Sequence, residues 1–243
     1  MAKLYLGTRE VTPAIFTSGI GIPREAKNGV YQMPTENFTF SLPSEATNVG
    51  YYGFAMAFFH CTSLTSIDLS SLTTLSNTGS FYSACESCIS LTSIDLSSLT
   101  TVSGSNCFDN AFRDCPRLTS VNLSSLATVS GNRCFNNAFR NCTSLTSVNL
   151  SSLTTVSGNS CFDNAFYGCT ALTDIYFRAL TTSSFGSYVN QFNNIMQSTG
   201  TNVTHTLHFP SNMESTIQGL TGYPLFGGTS GYVVLSFDLP ATS

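Results

Sequence analysis

Leu118 to Ser144 reads LTSVNLSSLATVSGNRCFNNAFRNCTS, and nearly the same text precedes it from Leu91 and follows it from Leu145. Leu64, Leu91, Leu118, Leu145 and Leu172 are spaced 27 residues apart, and Cys61, Cys88, Cys115, Cys142 and Cys169 keep the same step. A fixed period of this size marks a solenoid, in which each unit is one turn of a stack and buries its apolar face only against its neighbours.

Within one unit the apolar pattern changes period. Val121 and Leu123 alternate with polar Ser120, Asn122 and Ser124, which predicts a short half-buried strand. Leu126 and Val129 then turn a corner, and Gly131 and Asn132 suit a turn or a helix start. Phe135, Ala138, Phe139 and Cys142 fall at i, i+3, i+4 and i+7, the spacing of one apolar stripe on a short helix. Each coil is therefore expected to run strand, corner, short helix, return: an α/β solenoid with a parallel sheet on one face and short helices on the other.

From this unit the chain divides as follows. Residues 1–36 read as an N-terminal hairpin and loop, with strands at Lys3 to Leu6 and Val11 to Ile15 around Gly7 to Glu10. Pro13 makes the second strand an edge. Residues 37–198 form the array. The first coil, 37–63, is degenerate, with Phe40 and Leu42 in strand slots and Phe54, Ala57, Phe58 and Cys61 in helix slots. Four close copies occupy 64–90, 91–117, 118–144 and 145–171. The last coil, 172–198, loses the Cys and Gly landmarks and places Met196 in the Cys slot. Residues 199–243 read as a C-terminal cap, with a strand over Thr204 to Phe209, a helix over 212–219 opened by a Ser211-to-Glu214 capping box, and a final strand from Tyr232 to Leu239.

Composition narrows the function classes. Of 243 residues 42% are apolar, enough for a continuous core, but only 9% are charged, so Ser, Thr and Asn supply the surface. The net charge is −4, and no Lys follows Lys27, which argues against nucleic-acid binding through phosphate neutralisation. No stretch approaches the ~18 apolar residues that a membrane span requires, so no membrane insertion is expected. The opening MAKLYLGTREVTPAIF lacks the apolar core of a secretory signal. Either the chain is not secreted by that route or a signal has been trimmed, and localisation stays open.

The nine Cys all lie at repeat positions, and Cys85 sits in the slot that Phe112, Phe139 and Phe166 fill in later coils. That exchange reads as small buried hydrophobes, reduced thiols of the core. The sharper alternative, disulfides between stacked coils, is opposed by side chains that point in parallel. Cys85 and Cys88 match C-x-x-C, but no second pair or nearby His joins them to make a zinc or redox site. No G-x-S-x-G, P-loop or H-E-x-x-H motif is present, so no catalytic residue, cofactor or metal is expected.

The candidate site is the outward face of the strands. One file is Asp68, Asp95, Asn122, Asn149, Tyr176 and His208; a second is Ser66, Ser93, Ser120, Ser147, Asp174 and Thr206. Either the face recognises a ligand, or its Asn and Ser ladders satisfy one another and keep it soluble. The C-terminal end, with Asp174, Tyr176, Arg178 and His208, is where the text leaves Ser and Thr for residue types favoured at interfaces. On the opposite side, Asp109 and Arg113 are spaced as an i, i+4 ion pair, and Arg113 and Arg140 as a solvated face.

The run Ala111-Phe-Arg-Asp-Cys-Pro-Arg-Leu-Thr-Ser-Val-Asn-Leu123 resembles the BspA-like (Treponema pallidum-type) leucine-rich repeats of bacterial surface proteins, over roughly residues 37–210. The resemblance implies a right-handed leucine-rich repeat stack and a role in adhesion or protein binding, with a protein or cell-surface ligand as partner. The usual repeat is a few residues shorter, SGNxCF lengthening it here, and the family's Ile-Pro after the strand is Leu-Ser except at Leu42-Pro43. The opening hairpin is similar to segments of phage tail-associated proteins. That similarity implies an alternative, a phage- or prophage-encoded structural or tail-associated protein with the repeat as receptor-binding or scaffold element, which would place the chain on a virion rather than a cell surface.

Overall fold

The computed structural model describes residues 5–6, 9–10, 26–27, 30–31, 37–42, 44–181, 183–184, 192, 194–196, 204–219 and 233–240. Two small antiparallel pairs lie at the start: β1 (Tyr5–Leu6) with β2 (Arg9–Glu10), and β3 (Ala26–Lys27) with β4 (Val30–Tyr31). The first hairpin is tighter than expected. Tyr5 faces Glu10 and Leu6 faces Arg9, so residues placed in the turn by their sequence belong to the returning strand. Val11 to Ile15 lie outside the described residues.

The array follows as a solenoid of stacked coils. β5 (Phe38–Ser41), β6 (Leu64–Asp68), β8 (Ser93–Asp95), β10 (Ser120–Asn122) and β12 (Ser147–Val148) form one parallel sheet. Ile67, Ile94, Val121 and Val148 stand in register along it, buried, while Ser66, Ser93, Ser120 and Ser147 alternate outward. The corner is itself a wall. β7 (Thr74–Leu75), β9 (Thr101–Val102), β11 (Thr128–Val129) and β13 (Thr155–Val156) make a second parallel sheet, with Leu75, Val102, Val129 and Val156 buried. At the far end β14 (Asp174–Tyr176), β15 (His205–Pro210) and β16 (Val233–Leu239) form a three-stranded parallel sheet.

The third wall corrects the expected helices. Residues 105–114 and their counterparts run as consecutive turns, and every fourth residue takes the left-handed conformation: Asn106, Asn110 and Asp114 at φ 55°, 57° and 57°, then Arg133, Asn137 and Asn141 at 54°, 52° and 60°. The N–H groups alternate in direction. Those of Phe108, Asn110 and Phe112 donate to the next coil, at the carbonyls of Cys134, Asn136 and Ala138 (2.7, 2.9 and 2.9 Å). Those of Asp109, Ala111 and Arg113 donate back three residues within the coil. An α-helix would use both sets internally and leave none for the stack.

Spacing explains the choice. Phe54, Phe81, Phe108, Phe135, Phe162 and Phe192 form a column with ring centroids 5.0–5.6 Å apart, and Phe112, Phe139 and Phe166 form another at 5.5 and 5.4 Å. Parallel strands repeat at about 4.8 Å, whereas packed helices need about 8–10 Å between axes. A wall of turns matches the pitch of the two sheets, and a wall of helices would splay the coils. Asn, Asp and Ser occupy many of the left-handed positions because they tolerate them better than most residues and are poor helix formers. At the corner, a Cβ on Gly104, Gly131 or Gly158 would collide with backbone of the preceding coil, so these three positions require glycine, while the same slot one coil earlier holds Asn77.

All nine Cys are buried thiols, as expected from their slots. They bond to backbone: Cys88, Cys115, Cys142 and Cys169 Sγ donate to Phe58, Cys85, Phe112 and Phe139 carbonyls (3.0–3.2 Å), and Cys134 Sγ to Gly131 (2.9 Å). Burial pushes the Cys107 and Cys169 thiols up to about 12, away from reactive thiolate.

The last coil also differs from its expected alignment. Phe192 stacks on Phe162 (5.6 Å), and the Phe166 N–H donates to the Ile195 carbonyl (2.7 Å) as Phe139 does to Ala165. Three residues are thus inserted, and Met196 takes the Phe166 slot rather than the Cys slot. Beyond it, Ser211–Met213 is a 3₁₀ turn and Glu214–Gly219 an α-helix. The N-cap of the 3₁₀ turn is Pro210, with no side-chain cap bond, rather than the Ser211 expected to open a capping box. No helix among the described residues is long and apolar enough to cross a membrane.

Asn137 separates turns from helix. In a left-handed position, Asn137→Gly leaves the urea midpoint nearly unchanged, whereas Asn137→Val costs about 1–2 kcal/mol. In a helix the order would reverse, because glycine is the poorer helix former.

Candidate functional site

The first sheet presents the expected outward files. Asp68, Asp95 and Asn122 stand in register, and Tyr176, His208 and Ser236 continue the file in the three-stranded sheet. Asn149 follows the end of β12 and belongs to the same file. The side chains in this file perform a task that the alternation of apolar and polar residues does not show. Asp68, Asp95, Asn122 and Asn149 each accept, through Oδ1, the N–H of the residue two positions on: Ser70 (2.9 Å), Ser97 (2.9 Å), Ser124 (3.1 Å) and Ser151 (3.0 Å). This bond ends each strand in an Asx turn. One oxygen of each side chain thus holds the coil's own backbone, and only the remaining atom is left to the face. At Asp68 the remaining oxygen takes the Ser41 hydroxyl (3.1 Å), and the Ser70 and Ser41 hydrogen bonds hold the carboxyl below its ordinary value.

At the C-terminal end three successive slots change together. Asp174 stands where earlier coils have Ser147, Tyr176 where they have Asn149, and Arg178 where they have Ser151. The structure brings these and His208 into one cluster, as the sequence places them. His208 stacks on Tyr176 with centroids 4.3 Å apart and planes 10° off parallel. The Arg178 guanidinium lies over the Tyr176 ring at 5.1 Å, a cation–π contact. His208 Nε2 meets Asp174 Oδ1 at 2.9 Å, and Nδ1 meets Asp238 Oδ1 at 2.9 Å. Asp238 is the member that sequence reasoning missed. The pairing of β15 with β16 shifts by one residue after His208, so that Pro210 faces Leu239. A bulge of that kind has no signature in the alternation of Ser236, Phe237 and Asp238.

Burial works downward on the His208 imidazole, but the two carboxylate hydrogen bonds outweigh it and raise its proton affinity above the ordinary value. Asp174 and Asp238 are held low by the same bonds. The cluster is an imidazole clamped between carboxylates of the two neighbouring strands, an arrangement that favours its protonated form.

β12 and β14 are not hydrogen-bonded to one another among the described residues, and the first sheet is interrupted between them. At that break lies an open depression of about 520 Å³, bordered by Asn122, Ser147, Asn149 and Ser151 on one side and by Tyr176 and Arg178 on the other. Asn122, Asn149, Tyr176 and Arg178 therefore share one concavity. Asp68 and Asp95 lie further along the face and do not line it, and Asp174 and His208 stand behind Tyr176.

Among the described residues the turn wall carries no comparable cluster. Arg113 pairs with Asp114 (3.1 Å) and Glu86 (3.9 Å) rather than with Asp109, and Arg140 lies over the Tyr167 ring at 4.6 Å. Asp109 is turned in and accepts the amides of Asn110 (2.8 Å) and Asn136 (3.0 Å). Burial raises its carboxyl to about 6. Among the described residues no group of three or more His, Cys, Asp or Glu is placed to hold a metal ion.

Two pH dependences follow. The His208 stabilisation is complete below the ordinary histidine value of about 6.5 and is lost as pH rises through the raised folded value. The imidazole resonance of His208 should titrate above 6.5, and Asp238→Asn should lower it. A midpoint at or below 6.5 would mean that the clamp is open in solution. Asp109 has the same sign in a lower window: the folded chain takes up its proton first, so stability rises as pH falls from about 6 towards 4. Asn136 already fills this slot one coil later, so Asp109→Asn should raise the urea midpoint at pH 7 and match the parent chain near pH 4.

Among solved structures, the chain is similar to a leucine-rich repeat protein from Eubacterium ventriosum, at 24% identity over 62% of this chain and 42% of that one, with a TM-score of 0.33. It thus spans less than half the length of that relative. It is also similar to the T. pallidum leucine-rich repeat protein, at 20% identity over 79% of this chain and 87% of that one, with a TM-score of 0.39. A third is a leucine-rich repeat protein from Bacteroides ovatus, at 16% identity over 81% of this chain and 65% of that one, with a TM-score of 0.21. No curated protein matches the sequence. The family described as BspA type leucine rich repeat region matches in six copies over residues 28–164 and 110–212. With most of its length covered by that repeat, the chain belongs to the BspA-type leucine-rich repeat family.

Proposed function

We propose that this chain is a non-enzymatic protein-binding module of adhesion type, and that its partner docks on the strand face at the C-terminal break in the sheet. The observation that supports this reading is the cluster of Tyr176, Arg178 and His208 beside an open depression, on a face otherwise paved with short Ser and Asn side chains. Tyr and Arg supply a large share of binding energy at protein interfaces. Tyr176 is exposed, yet His208 and Arg178 hold its ring in place, so little side-chain entropy is lost when a partner covers it. The coils beneath are tied by continuous hydrogen-bond ladders, so the platform is rigid.

Tyr176→Ala and His208→Ala should each weaken binding of a cell-surface protein partner by about tenfold or more, the effect of truncating an interface anchor, while the urea midpoint moves little in the Tyr176 variant. Binding unchanged in both variants would remove the site from this face.

A further inference from the structure

The depression at the break in the sheet is lined by hydrogen-bond donors whose matching acceptors are already committed. Asn122 and Asn149 spend Oδ1 on the backbone N–H groups of Ser124 and Ser151. That bond fixes which end of each planar amide turns back to the chain, and it leaves Nδ2 as the end without a partner among the described residues. Arg178 is held against the Tyr176 ring at 5.1 Å and has no carboxylate partner among the described residues. The two carboxylates nearest in sequence and register, Asp174 and Asp238, are taken by His208 at 2.9 Å each. Ser147 and Ser151 add hydroxyls to the same rim. The face also changes sign along its length. In the two preceding coils the file carries Asp68 and Asp95, which form the same Asx turn but keep a negative charge on the face. The exchange of Asp for Asn at 122 and 149 keeps the turn and removes the negative charge just where the depression begins.

Resting on the reading above that the partner is a protein bound on this face, we infer that the depression is a carboxylate subsite for an acidic, extended peptide segment, with Arg178 as the charged anchor and the Asn122 and Asn149 amides as neutral donors. A carboxylate set against the guanidinium forms charge-assisted hydrogen bonds, the stronger class of such contacts. The Asp68 and Asp95 end repels the same ligand and fixes where along the face it seats. An acidic polysaccharide would bring the same functional group, and a polysaccharide arm in the test separates it from the peptide.

The test uses the full chain and a fluorescein-labelled octapeptide of alternating Glu and Ser, read by anisotropy, beside its Gln/Ser counterpart and a labelled oligogalacturonate of similar charge. The expected result is that the Glu peptide binds, the Gln peptide binds about tenfold more weakly or not at all, and affinity falls with added salt. Arg178→Gln and Asn149→Asp should each reduce Glu-peptide binding by about tenfold. Asn149→Asp is the informative variant, because Asp68 and Asp95 show that aspartate supports this turn and the fold is kept. Equal binding of the Glu and Gln peptides, or unchanged binding in both variants, would overturn the subsite. Tight binding of the oligogalacturonate without the peptide would overturn the peptide assignment. Should Tyr176→Ala abolish binding of a protein partner while Arg178→Gln and Asn149→Asp leave it intact, this inference fails and the docking face stands.

Discussion

The structure depends on one length, the distance of about 4.8 Å at which parallel strands hydrogen-bond. Every other wall of the coil must advance by the same amount per turn, or the stack curves and the ladders part. The second sheet meets this condition because it too is made of strands, and the turn wall meets it by sending alternate N–H groups to the next coil. The phenylalanine columns, at 5.0–5.6 Å, fill the interior at the same pitch. Three kinds of backbone thus share one repeat distance, and the thiols that donate to turn carbonyls fit inside without disturbing it.

Much of this is legible in the residues, and the part that is not has a physical cause. The 27-residue step, the inward Ile and Val, the outward Ser and Asp/Asn, and the buried thiols are all found where the spacing of Leu and Cys places them. The helical wall is the error. Phe135, Ala138, Phe139 and Cys142 suit a helix of 3.6 residues per turn and equally suit turns that recur every four residues, since the two periods drift apart by less than half a residue per turn. The signal that separates them is on the polar side. Asn137 and Asn141, four apart, are poor helix residues and good left-handed ones. A rule about apolar stripes alone does not weigh it. Met196 fails for another reason: three inserted residues lie between Phe162 and Phe192, and counting by 27 cannot see them.

The site divides in the same way. Tyr176, Arg178, Asp174 and His208 come together because strand register carries residues 32 positions apart to adjacent places, a consequence of parallel stacking that the repeat implies. Asp238 reaches His208 only through a bulge in the last pair of strands, and a bulge is set by packing of the whole sheet rather than by a local pattern. The role of the Asn and Asp file was visible in principle, since each precedes a Leu-Ser-Ser step at the end of a strand, where Asx turns are favoured.

These two uses of the same file explain why the proposed docking site lies where the repeat breaks down. In a regular coil the outward Asx side chain is half consumed by its own backbone, and its neighbours are short hydroxyls that reach no further than the coil above. Such a face is well solvated and nearly uniform, and uniformity gives a partner no unique register, because a shift by one coil costs little. Replacing Ser147, Asn149 and Ser151 by Asp174, Tyr176 and Arg178 in the next coil ends that degeneracy at one position. The interruption between β12 and β14 adds concavity at the same position. A repeat protein that is to bind at one place rather than slide along itself needs such a local break in its own symmetry, and this chain has one, on a scaffold kept rigid by the coils that remain regular.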